Sequence, residues 1–152
     1  MKKSVTIIGY GFISQYFLKE YHNQFQSIIT TTRSSNNTKF STQSFTYDLY
    51  INQKITFPKT NYCIITIPFS RSLTDPFDYP NSLERLLHQL PIQHYERILF
   101  TSSTSVYKPN NSLITETGEL DTTKRALALS AAEQTILTAS NKSIVLRLSG
   151  IC

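Results

Sequence analysis

The stretch Ser4–Tyr21 reads SVTIIGYGFISQYFLKEY. Its first five residues, Ser4–Ile8, form an apolar run of strand length, which ends at two closely spaced glycines, Gly9 and Gly11. The residues that follow repeat apolar side chains at helical spacing. This order predicts a buried strand, a tight turn and then a helix.

The glycines lie where a strand–turn–helix unit holds the pyrophosphate of a dinucleotide. The first turn of such a helix offers free N–H groups and the positive end of the helix dipole to a phosphate. Gly9 would permit the tight turn, and Gly11 would let the phosphates approach the main chain. Ser14, small but not glycine, takes the third position of this fingerprint. We therefore expect a nicotinamide-dinucleotide-binding domain.

The rest of the chain alternates strands with helices. The further predicted strands are 27–32, 44–47, 62–67, 96–101 and 143–148, the further predicted helices are 81–90 and 122–139, and 69–80 is a predicted loop. The apolar face of the first helix is predicted to contain Phe12, Ile13, Tyr16, Phe17 and Tyr21. This pattern predicts an α/β fold with a doubly wound parallel sheet, the Rossmann fold, as a single NAD(P)-binding domain over residues 1–152.

Composition narrows the function classes. The net charge is +5, but the basic residues are scattered, which argues against nucleic-acid binding. No apolar run reaches the roughly 18 residues of a membrane span, and the start of the chain does not resemble a signal peptide, so we expect a cytoplasmic protein. The two cysteines, Cys63 and Cys152, do not suggest a disulfide, and the histidines match no metal-site spacing, so no metal is expected.

The end of the second predicted strand bears on the choice of cofactor. In this fold an acidic residue there accepts from the ribose 2′-hydroxyl of NAD, whereas an arginine accommodates the 2′-phosphate of NADP. Here the strand ends in Arg33-Ser34. Arg33 therefore favours NADP over NAD, although a purely surface role for this arginine stays open.

The stretch Arg97–Tyr107 reads RILFTSSTSVY, a strand running into Ser-Ser-x-x-Val-Tyr. It resembles the extended and atypical short-chain dehydrogenases/reductases, the NAD-dependent epimerase/dehydratase-like group. Asn61–Pro68 and Leu146–Ile151 carry the same resemblance, which covers only the cofactor-binding half of the family's fold. The Gly9–Gly11 turn departs from the family's commoner three-glycine pattern.

The resemblance implies roles for individual residues. Gly9, Gly11, Phe12 and Ile13 would line the pyrophosphate, Arg33 would face the adenosine phosphate, Asp48 would contact adenine, and Ser103 would be the catalytic serine that hydrogen-bonds the substrate's reacting oxygen. A Ser-rich strand end that only satisfies backbone groups is the alternative for Ser103. Tyr107 matches a structural aromatic.

Two features of the family are missing from the sequence. Its acid–base tyrosine and the lysine four residues later are replaced by Arg125 and Leu129. The chain also ends at Cys152, so the C-terminal substrate portion is absent and the domain is expected to be truncated after the sixth strand. Uncovered apolar surface near that end would favour self-association.

Three functions stay open at this point. The first is an NAD(P)-dependent oxidoreductase or epimerase that acts on an unknown small-molecule substrate. The second is a non-catalytic relative that serves as a binding or interaction protein. The third is a hydroxyacid-dehydrogenase-like or pyrroline-carboxylate-reductase-like cofactor domain, which the apolar run 64–67 and Pro68 would also suit.

Overall fold

The computed structural model describes residues 1–34, 38–110 and 113–149 and confirms the predicted α/β fold. The strands are β1 (Lys3–Ile8), β2 (Phe25–Thr32), β3 (Gln43–Thr46), β4 (Tyr62–Ile65), β5 (Arg97–Ser103) and β6 (Ser143–Leu148). The helices are α1 (Phe12–Tyr21), α2 (Asp78–Gln89) and α3 (Lys124–Ala139). Short 3₁₀ turns cover 22–24, 92–94 and 104–106. Gly150–Cys152, which include the second of the two cysteines, lie outside the described residues.

The six strands form one parallel sheet in the order β3-β2-β1-β4-β5-β6. This is the doubly wound order that the sequence predicted. The chain direction across the sheet reverses between β1 and β4, so the loops that follow these two strands diverge. Ligands of open α/β sheets bind at this switch point, beyond the carboxyl ends of the strands.

Helices cover the sheet on both faces. On one face, Ile65 and Ile98 pack in a buried cluster with Leu86 of α2 and Ile136 of α3. On the opposite face, Val5 and Ile7 of β1 pack with Leu18 of α1. Because successive strand residues point to opposite faces, each central strand contributes to both clusters.

The connection from β3 to β4, residues 47–61, contains no helix. Leu49 and Phe57 within it are nevertheless buried and belong to the cluster beneath α2 and α3. This irregular segment therefore covers the part of the sheet where a crossover helix commonly packs, and it carries Asp48 past the ends of the strands.

Several predicted boundaries shift. The predicted 69–80 loop is shorter because α2 begins at Asp78, and α3 begins after Thr123, whose side chain accepts from the Ala126 N–H as its N-cap. β4 ends at Ile65, because that residue pairs with Ile8, the last residue of β1. β5 continues to Ser103, because β6 pairs with it up to that residue.

The predicted apolar face of α1 is correct for Phe17, which is half-buried against the core, and for the half-buried Ile13, but wrong for its other three residues. The residues of α1 that are buried are Ser14 and Leu18, whereas Phe12, Tyr16 and Tyr21 are 52%, 58% and 47% exposed. The rings of Phe12 and Tyr16 pack on each other in solvent, with centroids 4.7 Å apart. The helix approaches the sheet so closely that the small Ser14 occupies the contact instead of a ring.

The outer strand β6 leaves apolar side chains uncovered. Ile144 and Leu146 are about two-fifths exposed on it. Self-association through this surface stays a prediction. Among the described residues, no helix is both long enough and apolar enough to cross a lipid bilayer.

A buried ion pair joins α3 to β5 and β6. The Glu133 side chain accepts from Ser102 Oγ at 2.6 Å and from Arg147 Nη2 at 2.7 Å, and it is almost fully buried. Arg147 Nη1 donates in turn to the Tyr107 hydroxyl at 2.7 Å. Tyr107 is therefore a structural residue, as its resemblance implied.

We predict that Glu133→Ala lowers the free energy of unfolding by about 3–5 kcal/mol, because it leaves the Arg147 guanidinium without its buried partner. Urea denaturation of the purified protein measures the change. Glu119→Ala breaks the exposed pair with Lys108 instead and is expected to cost about 1 kcal/mol or less. Equal losses in the two variants would contradict the assignment of Glu133 as a structural link.

Candidate functional site

Gly9 holds a conformation that other residues rarely adopt. Its φ is +102°, the only positive φ recorded for a glycine or any other residue in the described part of the chain. A Cβ placed there would lie 3.0 Å from Ile67 Cγ1 and 3.2 Å from the Ile67 backbone nitrogen. Both the backbone strain and this contact with the end of β4 therefore require glycine at this position.

At Gly11, by contrast, neither the backbone nor the packing requires glycine. Its backbone is extended, with φ −104° and ψ −163°, and no atom lies within 4 Å of a Cβ placed on it. The space beside the first turn of α1 is therefore open. The N–H groups of Phe12 and Ile13 lie in that first turn, where a helix provides no internal acceptor.

Three hydroxyl groups fix the glycine turn. Ser14 Oγ donates to the Gly9 carbonyl and accepts from the Gly11 N–H at 3.0 Å. Thr66 Oγ1 donates to the same carbonyl at 2.6 Å, and Thr31 Oγ1 accepts from the Gly9 N–H at 2.9 Å. Sequence reasoning missed the two threonines; the available signal was their position at the ends of neighbouring parallel strands.

The first cleft lies over the carboxyl ends of β1 to β4 and has a volume of about 430 Å³. Four of the predicted cofactor-binding residues line it, namely Gly9, Gly11, Arg33 and Asp48. The Arg33 side chain is exposed, and Asp48 Oδ1 accepts from the Tyr50 N–H at 2.9 Å. The Arg33 guanidinium and the Asp48 carboxylate thus line the same cleft as the glycine turn.

The second cleft lies over the ends of β4, β5 and β6 and has a volume of about 350 Å³. Ile13, Ser103, Arg125 and Leu129 line it, so the structure brings the predicted catalytic serine together with the two residues that the resemblance aligned with the family's acid–base pair. Thr66 and Pro68 line both clefts. The two clefts therefore form adjoining sections of one edge of the sheet.

The Phe12 side chain lines neither of these clefts. Because its ring is half exposed and stacks on Tyr16, its contribution to a phosphate site would be limited to its backbone N–H. Ile13, by contrast, lines the second cleft.

The serine motif divides between two tasks. Both serines line the second cleft, but Ser102 is buried and donates to Glu133, whereas Ser103 is more exposed. Ser103 Oγ donates to Ser105 Oγ at 3.0 Å and accepts from the Ser105 N–H at 3.1 Å. Ser103 therefore caps the 3₁₀ turn 104–106, which is the alternative role that the sequence analysis gave it. Ser103 also lines the second cleft.

One tyrosine lines the second cleft, but not on α3. The Tyr79 side chain is 1% exposed, and its hydroxyl donates to the Ile67 carbonyl at 2.6 Å. Burial raises the pKa of Tyr79 well above its ordinary value. This phenol therefore stays protonated near neutral pH and keeps its hydrogen on a backbone acceptor.

Comparison with known proteins identifies the fold. No family model matches the sequence, and no curated protein does. A solved structure described as an NAD-dependent epimerase/dehydratase from Methylobacillus flagellatus matches 99% of this chain with a TM-score of 0.77 and 19% identity. The fold is that of the epimerase and short-chain dehydrogenase/reductase structures.

Further matches agree with this fold. A short-chain dehydrogenase/reductase superfamily protein from Agrobacterium tumefaciens, with bound NAD, matches 94% of the chain with a TM-score of 0.76 and 15% identity. UDP-glucuronic acid 4-epimerase from Bacillus cereus, in complex with NAD, matches 95% with a TM-score of 0.74 and 10% identity. The chain spans about half the length of these proteins, with 55%, 48% and 55% of their chains covered.

Metal ligands are not clustered in the part of the chain that the structure describes. No group of three or more histidine, cysteine, aspartate or glutamate side chains is placed there to hold an ion. The groups that the two clefts offer are backbone N–H groups, hydroxyls, arginines and the Asp48 carboxylate.

We predict that alanine destabilises the protein at Gly9 but not at Gly11. Gly9→Ala should lower the free energy of unfolding by about 1–3 kcal/mol, because alanine at this positive φ is strained and meets Ile67. Gly11→Ala should change it by less than about 0.5 kcal/mol, because its methyl group enters open space. Chemical denaturation measures both. A stable Gly9→Ala variant, or a destabilised Gly11→Ala variant, would contradict this account of the turn.

Proposed function

We propose that this chain binds a nicotinamide dinucleotide along the carboxyl edge of its sheet. The adenosine part would occupy the first cleft, the pyrophosphate would lie against Gly11 and the N–H groups of the first turn of α1, and the nicotinamide end would reach the second cleft. The observation that carries the proposal is the open space at Gly11, at the topological switch point and beside a helix N-terminus. Two structures of the same fold hold NAD.

The first cleft favours the 2′-phosphate form of the cofactor. Arg33 and Ser34 follow β2 and line the cleft, and the carboxylate that lines it, Asp48, follows β3 instead. A guanidinium at the end of β2 suits a phosphate, whereas NAD discrimination commonly uses a carboxylate there. We therefore propose NADP as the preferred ligand, with NAD as the weaker one. Asp48 is proposed to contact the adenine.

The second cleft does not offer the proton transfer that is usual for this fold. When bound, the nicotinamide ring would supply hydride transfer. Arg125 and Leu129 are not residue types that supply an acid–base group or a hydrogen bond to the ribose in this way, and Tyr79 donates its hydroxyl hydrogen to the Ile67 carbonyl. We propose that the chain is a cofactor-binding protein without this acid–base pair.

Catalysis is the second candidate function, and Ser103 is the observation that favours it. Its hydroxyl lines the second cleft beside the proposed nicotinamide position, where it could hydrogen-bond the reacting oxygen of a small substrate. Oxidation or reduction of the cofactor that is lost in Ser103→Ala would favour this candidate. The hydroxyacid-dehydrogenase-like alternative gains no support, since the strand order is the doubly wound one and the matched structures are epimerases and short-chain dehydrogenases.

Isothermal titration calorimetry with NADP⁺ tests the proposed function directly. We expect the wild-type protein to bind, and Gly11→Ala to bind at least about tenfold more weakly, because the added methyl group fills the space where a phosphate would approach the main chain. Lys19→Ala, an exposed position on α1, serves as the folded control. A wild-type protein that does not bind either dinucleotide at millimolar concentration would overturn the proposal.

We predict that Arg33→Gln selectively weakens binding of NADP⁺. Loss of a charge-assisted hydrogen bond of about 1.5–3 kcal/mol corresponds to a roughly ten- to hundredfold loss of affinity. The affinity for NAD⁺, which lacks the 2′-phosphate, should change by less than about threefold. Parallel titrations with the two cofactors measure this difference. Equal losses for both would show that Arg33 does not read the 2′-position.

A further inference from the structure

The second cleft is lined by positive charge without a compensating carboxylate. Arg71 and Arg125 line it, and no aspartate or glutamate is among the described residues that do. Glu133 of α3 is buried and bound to Ser102 and Arg147. Its charge is therefore already neutralised, and the two arginines face a cavity that favours an anion.

Arg125 is held in place by an aromatic ring rather than by an acceptor. Its guanidinium carbon lies 5.4 Å from the centre of the Phe69 ring. Its Nε is buried, and no described residue accepts a hydrogen bond from it. The guanidinium also carries terminal N–H donors, and because the side chain is only half-buried and lines the second cleft, these are the donors that a ligand there would meet.

The wall opposite contributes hydroxyl groups. Ser103 Oγ donates to Ser105 Oγ, so the Ser105 hydroxyl retains its own hydrogen for a further acceptor. Thr104 lies between them and also lines the cleft. A guanidinium together with free hydroxyl donors is the donor set that binds carboxylate or phosphate oxygens.

We propose that the second cleft is a receptor for the oxyanion group of a small ligand, a carboxylate or a phosphate monoester, with Arg125 as its principal donor. This inference rests on the proposed function, because the dinucleotide would occupy the adjoining first cleft and the anionic ligand would lie beside the nicotinamide. Leu129, nearly fully buried below Arg125, provides an apolar floor that strengthens the electrostatic attraction. Arg71, exposed at the rim, adds attraction as the ligand enters.

The experiment is a calorimetric titration of the protein, saturated with NADP⁺, with malonate and separately with inorganic phosphate. Saturation keeps these probes out of the pyrophosphate position. Arg125→Gln removes the proposed donor, and Lys124→Gln, which removes the same charge from the neighbouring exposed residue, is the matched control. We expect one or both anions to bind the wild-type protein and the Lys124 variant alike, and at least about tenfold more weakly to Arg125→Gln.

The outcomes separate the inference from the proposed function. If the wild-type protein does not bind NADP⁺, the titration is run without it, and anion binding that depends on Arg125 still supports the receptor. No anion binding, or equal losses in the two variants, would overturn it. If Arg125→Gln weakens NADP⁺ as much as it weakens the anions, Arg125 serves the cofactor and the inference is wrong. The probe that binds more tightly distinguishes a carboxylate ligand from a phosphate ligand.

Discussion

The shared hydrogen bonds to the Gly9 carbonyl are the constraint on which the rest of the site depends. Ser14 of α1 and Thr66 after β4 both donate to this oxygen, and Thr31 of β2 accepts from the N–H of the same residue. The backbone of one residue is thereby connected to the helix, to β2 and to the segment that follows β4. Because the turn leaves β1 with a positive φ, these contacts fix the direction in which α1 begins. The first cleft, the second cleft and the residues that line both of them take their positions from that direction.

The sequence predicted those features that depend on local pattern. Apolar runs located the strands, and the glycine spacing located the turn, because strand burial and positive φ restrict residue type at each position. The roles of Thr31 and Thr66 could not be predicted in this way. Their partner Gly9 is 22 and 57 residues distant in the sequence, and only the parallel pairing of the sheet brings them together.

The first helix shows why periodicity alone can misplace part of an apolar face. Its aromatic residues repeat at helical spacing, but the contact with the sheet admits only a small residue near the turn, and Ser14 provides both that size and the hydroxyl that the turn requires. Phe12 and Tyr16 then face solvent and cover each other. Ser14 can thus replace the third glycine of the fingerprint, since it is small enough to lie between α1 and the sheet and its hydroxyl accepts from the Gly11 N–H at the start of the helix.

Arg125 and Leu129 on α3 suit each other if the second cleft binds an anion rather than transferring a proton. A lysine at position 129 would place a second cation one helical turn from Arg125 and would have to be buried, since Leu129 is 3% exposed and part of the core. Leucine avoids that cost and leaves the guanidinium as the fixed charge of the cleft, supported by Phe69 on its face. A charge that cannot be lost near neutral pH suits binding and orientation, whereas acid–base chemistry needs a group whose proton can leave. The edge of the sheet would then hold two anionic groups side by side, the dinucleotide on the glycine turn and a smaller ligand on the arginine.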